Sequence, residues 1–141
     1  MALIKPMIKT YRSHTLSITI ARPPAEVVSF LLNPANLSLW MSVGRLTMTP
    51  RENGEWLIEL PQGPRIVSFE APNKYGVVDH AFYKEGEARE MTPTRVFPNG
   101  EGAELTYTML QKDGVSDEEF ASTVHWVEAD LLALKSWLEA G

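Results

Sequence analysis

The sequence contains no cysteine, and this absence excludes disulfides, thiolate nucleophiles and cysteine-based metal sites. A chain without cysteine suits a reducing compartment, so we expect a cytoplasmic location. Histidine is also scarce, with 3 copies in the chain. These copies do not have the spacing that metal-binding motifs use. The sequence therefore indicates no metal site and no cofactor.

Positive charge and long apolar runs are in short supply as well. Lysine and arginine total 13 against 18 acidic residues, and the resulting net charge is −5. A nucleic-acid partner is not expected, because binding to backbone phosphates requires a basic surface. No segment approaches the ~20 apolar residues of a membrane span. The glycine-rich phosphate loop and the G-x-S-x-G nucleophile motif are missing too.

What is present is the composition of one globular domain. The chain has 141 residues, of which 44% are hydrophobic, enough to bury a sizeable core. Lys5, Pro6 and Lys9 interrupt the apolar residues at the N-terminus, so no signal peptide is predicted. We expect a loosely ordered lead-in over residues 1–10 and a single domain over residues 11–141.

Seven strands are predicted from the pattern of apolar residues. Leu16, Ile18 and Ile20 alternate with hydroxyl-bearing residues, which is the period of a strand with one apolar face. Six further short runs of β-branched and aromatic residues follow residue 43 and are separated by turn signals, Asn53-Gly54 among them. Short runs joined by such turns favour a meander of antiparallel neighbours.

Three helices are predicted around these strands. Two short ones, at 24–33 and 34–41, lie between the first two strands, and a long one spans 116–140. Ser116 with Glu119 fits a capping box at the start of the long helix. Its apolar stripe steps by four and three residues: Phe120, Val124, Val127, Leu131, Leu134 and Leu138. The predicted fold is α+β, with a seven-stranded antiparallel sheet curled around the C-terminal helix.

Two stretches of the sequence resemble the SRPBCC superfamily. These are ITIARPPAEVVSFLLNPANLSLW near the start and RVFPNGEGAELTYTMLQKDGVSDEEFASTVHWVEADLLALKSWL at the end, and the resemblance covers about residues 12–140. That superfamily has the helix-grip fold shared by START lipid-transfer domains, birch-pollen-type allergens and polyketide cyclase/dehydrase proteins. The second stretch is similar to small bacterial members of the superfamily that have no assigned activity. The resemblance implies a largely apolar cavity between the sheet and the long helix.

Asp79 and His80 are neighbours in the stretch YGVVDHAFYK, whose other residues are typical of a β-strand. Neighbouring strand residues point to opposite faces, so Asp79 and His80 cannot act as a dyad. Val78, His80 and Phe82 share one face, which we predict to be the interior. His80 is the candidate acid or base, if the protein catalyses a reaction. The alternative is a core histidine that bonds to a neighbouring hydroxyl group.

Arg95 and Tyr107 are predicted on adjacent strands, if the turn between them pairs Phe97 near Ala103. Arg95 could then bind a carboxylate or phenolate of a ligand. The alternative for Arg95 is an exposed ion pair with Glu104 or another acid, and Tyr107 could equally be a core residue. The predicted ligand-binding set is Trp40, Trp56, Val78, His80, Phe82, Arg95, Tyr107, Phe120, Val124 and Val127.

Three functions are consistent with these residues. The first is binding of a small hydrophobic or amphipathic ligand in the predicted cavity. The second is an enzyme similar to polyketide cyclases and dehydrases, in which Arg95 or Tyr107 would steady an enolate oxygen. The third is a co-chaperone-like protein-interaction domain. Trp126 and Trp137 lie off the apolar stripe of the long helix and are available for a homodimer contact.

Overall fold

The computed structural model describes residues 6–42 and 47–141. The elements in chain order are β1 (Ser13–Ile20), α1 (Pro24–Leu32), a 3₁₀ turn (Pro34–Asn36), α2 (Leu37–Trp40), β2 (Met48–Pro50), a second 3₁₀ turn (Glu52–Gly54), β3 (Trp56–Leu60), β4 (Gly63–Phe69), β5 (His80–Tyr83), β6 (Thr94–Asn99), β7 (Gly102–Leu110) and α3 (Asp117–Ala140). Seven strands and the predicted helices are therefore present in the expected order. Residues 1–5 of the predicted lead-in lie outside the described residues, and 6–12 form neither helix nor strand.

The prediction of one seven-stranded sheet is wrong, because the strands form two antiparallel sheets. One has three strands in the order β1-β7-β6, and the other has four in the order β2-β3-β4-β5. The ladder breaks between β5 and β6. Pro93 has no N–H to donate there, and the N–H of Thr94 donates to the carboxylate of Asp79 at 2.8 Å instead of to a backbone carbonyl.

The two sheets remain connected at this break. Two isolated bridges join them, Val77 with Arg95 and His80 with Thr92. The N–H of Val96 also donates to the carbonyl of Gly76 at 2.9 Å. Gly76 has a φ of +73°, and a Cβ added there would lie 1.9 Å from the Val96 carbonyl oxygen, so the close approach requires glycine.

The long helix α3 begins at a side-chain cap, as predicted. The hydroxyl oxygen of Ser116 accepts from the N–H of Glu119 at 3.1 Å, and three acidic residues occupy the first turn. Four residues of the predicted stripe are buried: Phe120, Leu131, Leu134 and Leu138. The remaining two, Val124 and Val127, are half-buried, so α3 packs less closely where these valines lie.

Polar contacts fix the C-terminal half of α3 to the end of β1. The Lys135 ammonium donates to the Thr19 carbonyl at 2.6 Å, and Arg22 Nε donates to the Leu138 carbonyl at 2.8 Å. The carboxylate of Glu139 accepts from the N–H of Ala21 at 2.7 Å. This half of the helix is therefore anchored to the three-stranded sheet. Among residues 6–42 and 47–141, no helix has both the length and the apolar character needed to cross a bilayer.

Candidate functional site

Two open spaces flank the N-terminal half of α3. The larger, of about 640 Å³, lies between α3 and the four-stranded sheet, and Phe82 and Trp126 form part of its walls. The smaller, of about 410 Å³, lies between α3, β7 and residues 90–93. Both volumes fall in the range of small-molecule sites, roughly 300–1,000 Å³. Thr123 and Val127 line both spaces, so the two adjoin at one turn of the helix.

A third space lies deeper in the core. Its volume is about 20 Å³, which is room for about one water molecule. Trp40, Val78, His80, Tyr107 and Leu131 contribute to its lining. This space is too small for a ligand, and we call the residues that line it the floor. Met41 lines both the floor and the 640 Å³ space. Tyr107 also lines the 410 Å³ space and so connects that space with the floor.

His80 and Tyr107 form a buried polar pair in this floor. Their side chains are 6% and 9% exposed, and His80 Nε2 lies 3.1 Å from the Tyr107 hydroxyl oxygen. Burial lowers the pKa of His80 to about 4, opposed by a backbone hydrogen bond with Val78 and by the charge of Asp79. Burial, and then the charge of Asp130, raise the pKa of Tyr107 to about 12. Both side chains are therefore neutral at pH 7.

Asp79 points to the opposite face of the strand, as the alternation predicts. Its carboxylate accepts from the N–H of Thr94 and from the guanidinium of Arg95. Asp79 therefore acts as a structural link between the two sheets. Arg95 and Tyr107 lie on adjacent strands, as predicted. Arg95 pairs in register with Thr106, and its side chain lies on the outer face in an ion pair with Asp79, which matches the alternative given for it.

Most of the predicted ligand-binding residues surround these spaces. Those that line one or more of the three spaces are Trp40, Val78, His80, Phe82, Tyr107, Phe120 and Val127. Val124 packs against the core beside them. Trp56 is half-buried at the start of β3 and lines none of the three, and Phe82 is 36% exposed because it borders the open 640 Å³ space.

The structure adds a residue that the sequence analysis did not select, Asp130. It lines the 640 Å³ space and accepts hydrogen bonds from Ser42, from the backbone N–H at 3.0 Å and from the hydroxyl at 3.4 Å. Burial raises the pKa of Asp130, while the two bonds from Ser42 oppose that rise. Its position three residues after Val127, at the edge of the apolar stripe, is a signal that could have identified it.

A metal centre has no support in the geometry. Within the two described segments, no three histidine, aspartate or glutamate side chains come together as a metal ion would need. The chemistry that the site offers includes apolar contact, the neutral hydroxyl of Tyr107 and the carboxylate of Asp130.

Known structures share this fold. An uncharacterised protein from Bacillus thuringiensis has a TM-score of 0.68 at 18% identity, over 90% of this chain and 98% of that one. A START superfamily protein from Mycobacterium smegmatis has a TM-score of 0.67 at 10% identity, over 91% and 97%. Aha1 from Colwellia psychrerythraea, solved as a dimer in solution, has a TM-score of 0.69 at 13% identity, over 91% and 96%.

These likenesses establish the fold alone, because the identities are below 25%. The predicted resemblance to the SRPBCC superfamily is confirmed at that level: the chain has a helix-grip-like fold. No family model matches the sequence, and no curated protein matches it either.

Proposed function

We propose that the chain binds a small hydrophobic or amphipathic ligand between its sheets and the N-terminal half of α3. The observation that carries this proposal is the pair of adjoining spaces at Val127, each large enough for a small molecule. The fold shared with a START superfamily protein agrees with it. We further expect the chain to act in the cytoplasm, in keeping with its lack of cysteine.

A thermal-shift screen tests the proposal. The panel contains fatty acids, sterols, flavonoids and aromatic polyketides. A ligand that binds only the folded state, at a hundredfold excess over Kd, stabilises it by about 2.7 kcal/mol. For a domain of this size that raises the melting midpoint by about 5–10 °C. If no compound in the panel raises the midpoint, the ligand-binding proposal fails.

A pair of matched variants locates the binding site. Val127 lines both larger spaces, whereas Ala129 is exposed on another side of the same helix. Val127→Asp places a charge in the proposed site and should remove the ligand-induced shift, because binding would then bury an unpaired carboxylate. Ala129→Asp introduces the same charge on the same helix, with a larger cost in helix propensity, and should leave the shift intact. Equal loss in both variants would contradict the proposed location.

An enzyme similar to polyketide cyclases and dehydrases is the second candidate. It is favoured by Tyr107, which lines the 410 Å³ space and whose protonated hydroxyl lies 3.1 Å from His80 Nε2. A neutral hydroxyl can donate to a developing enolate oxygen. In this mechanism Tyr107 is the donor, and His80, which lines neither larger space, positions it. Incubating each bound compound with the protein and following its mass tests this candidate: Tyr107→Phe should retain binding and lose turnover.

A protein-interaction role, with a homodimer as its simplest form, is the third candidate. The fold shared with the Aha1 dimer motivates it, together with two exposed tryptophans on α3, Trp126 at 66% and Trp137 at 49%. Light scattering coupled to gel filtration measures the mass in solution. A dimer that Trp137→Ser converts to a monomer would support this role, and a monomer at all concentrations would exclude the homodimer.

A further inference from the structure

We propose that the 640 Å³ space binds the polar end of the ligand, and that this end is an organic ammonium group. The carboxylate of Asp130 and the rings of Trp126 and Phe82 hold it. This inference rests on the proposed ligand-binding function. It adds the chemical class of the ligand, a cationic amphiphile, which the fold does not specify.

The carboxylate of Asp130 is fixed in place and has capacity left for a ligand. Ser42 donates its N–H to Oδ1 and its hydroxyl to Oδ2, which holds the carboxylate at the wall of the space. A carboxylate offers about four acceptor positions, so these two bonds do not saturate it. Because Asp130 is half-buried, its charge is screened less than that of a surface acid, and a nearby cation stabilises it more.

Two aromatic rings line the same space from opposite walls. Trp126 projects from α3 and Phe82 from β5, and both are accessible, at 66% and 36% exposure. The face of an aromatic ring attracts an ammonium group within about 6 Å of its centre, and tryptophan does so most strongly. Aromatic rings combined with a carboxylate match the needs of an organic ammonium ion, whose charge and carbon substituents both require a partner.

The charge around the space favours the same class of ligand. Glu119 and Asp130 line it, against one basic residue, Arg65. The guanidinium of Arg65 donates to the carbonyl of Pro64 at 2.9 Å, next to the β3–β4 turn. Asp130 instead contacts Ser42, just after α2, so the two charged groups have different partners in the protein. A carboxylate-headed ligand would meet repulsion from Asp130, so fatty acids should bind less well than amines of the same length.

Three probes with one chain length and different head groups test the inference: octylamine, 1-octanol and octanoate. Titrations on the full chain, below the concentrations at which the probes aggregate, are followed by the indole N–H signal of Trp126 in NMR spectra. Octylamine should bind about tenfold more tightly than 1-octanol, and octanoate most weakly. Asp130→Asn should abolish the preference for the amine. Glu118→Gln removes the same charge from an exposed position of α3 that lines none of the three spaces, and it should change the preference by less than about twofold.

The outcomes separate the head-group inference from the ligand-binding proposal. The inference is supported if octylamine binds most tightly of the three probes and loses this advantage only in Asp130→Asn. Equal binding of the three probes, or octanoate first, overturns the inference and leaves ligand binding standing. No binding by any probe overturns both. Because the ranking is measured first on the unaltered chain, the test stands even if Asp130→Asn does not fold.

Discussion

The buried, neutral state of His80 predicts how the stability of the protein depends on pH. The pKa of His80 is about 4 in the folded protein, against an ordinary value of 6.5. The unfolded chain therefore takes up a proton on this histidine at a higher pH than the folded chain does. Stability is retained above pH 6.5 and is lost as the pH falls from 6.5 toward 4, and the complete loss is about 3 kcal/mol. Between about pH 7.5 and pH 5, the loss from His80 alone is about 2 kcal/mol.

Urea denaturation at the two pH values measures this loss. The wild-type protein should lose about 2 kcal/mol more of its unfolding free energy than His80→Gln does, because glutamine does not titrate in this range. His125→Gln, at an exposed position, should behave like the wild type and serves as the control. Comparing the pH-induced changes cancels the general cost of each substitution. If His80→Gln and the wild type lose equal stability, His80 is not buried in its neutral form and the description of the floor is wrong.

Two further predictions concern the fold. Leu131 is 2% exposed and Leu132 is 53% exposed, so Leu131→Ala should cost about 2–5 kcal/mol of unfolding free energy and Leu132→Ala less than about 0.5 kcal/mol. Similar costs in chemical denaturation would mean that the predicted stripe does not face the core. Gly76→Ala should destabilise far more than Gly86→Ala, because both glycines have positive φ but only Gly76 has backbone within 2 Å of an added Cβ. Thermal unfolding of the two variants checks this, and equal midpoints would contradict it.

The fold could be predicted largely because its signals are local. The alternation in β1, the proline at the start of α1 and the cap at Ser116 all act within a few residues, and these three elements form where expected. The division into two sheets could not be predicted this way. It depends on a side chain, Asp79, accepting from the N–H of Thr94, a residue 15 positions away in the sequence.

The face on which Arg95 lies depends on strand register. The turn signal in the sequence places Phe97 near Ala103, whereas the structure pairs Pro98 with Ala103. A shift of one residue moves every side chain to the other face, so it moves Arg95 from the face of Tyr107 to the outer face. Turn signals locate a hairpin but do not fix its register. For Asp130, the sequence shows its place at the edge of the apolar stripe but not its contact with Ser42, which lies 88 residues away.

Nuclear Overhauser contacts between a bound ligand and the protein show directly whether the ligand lies beside α3. The compound that gives the largest thermal shift is mixed with protein whose valine methyl and phenylalanine ring signals are assigned. We expect ligand contacts with the methyl groups of Val127 and the ring of Phe82, since both line the space beside α3. Contacts confined to Tyr75 and Phe97, which line a separate surface groove between α1 and β6, would place the ligand elsewhere and contradict the account.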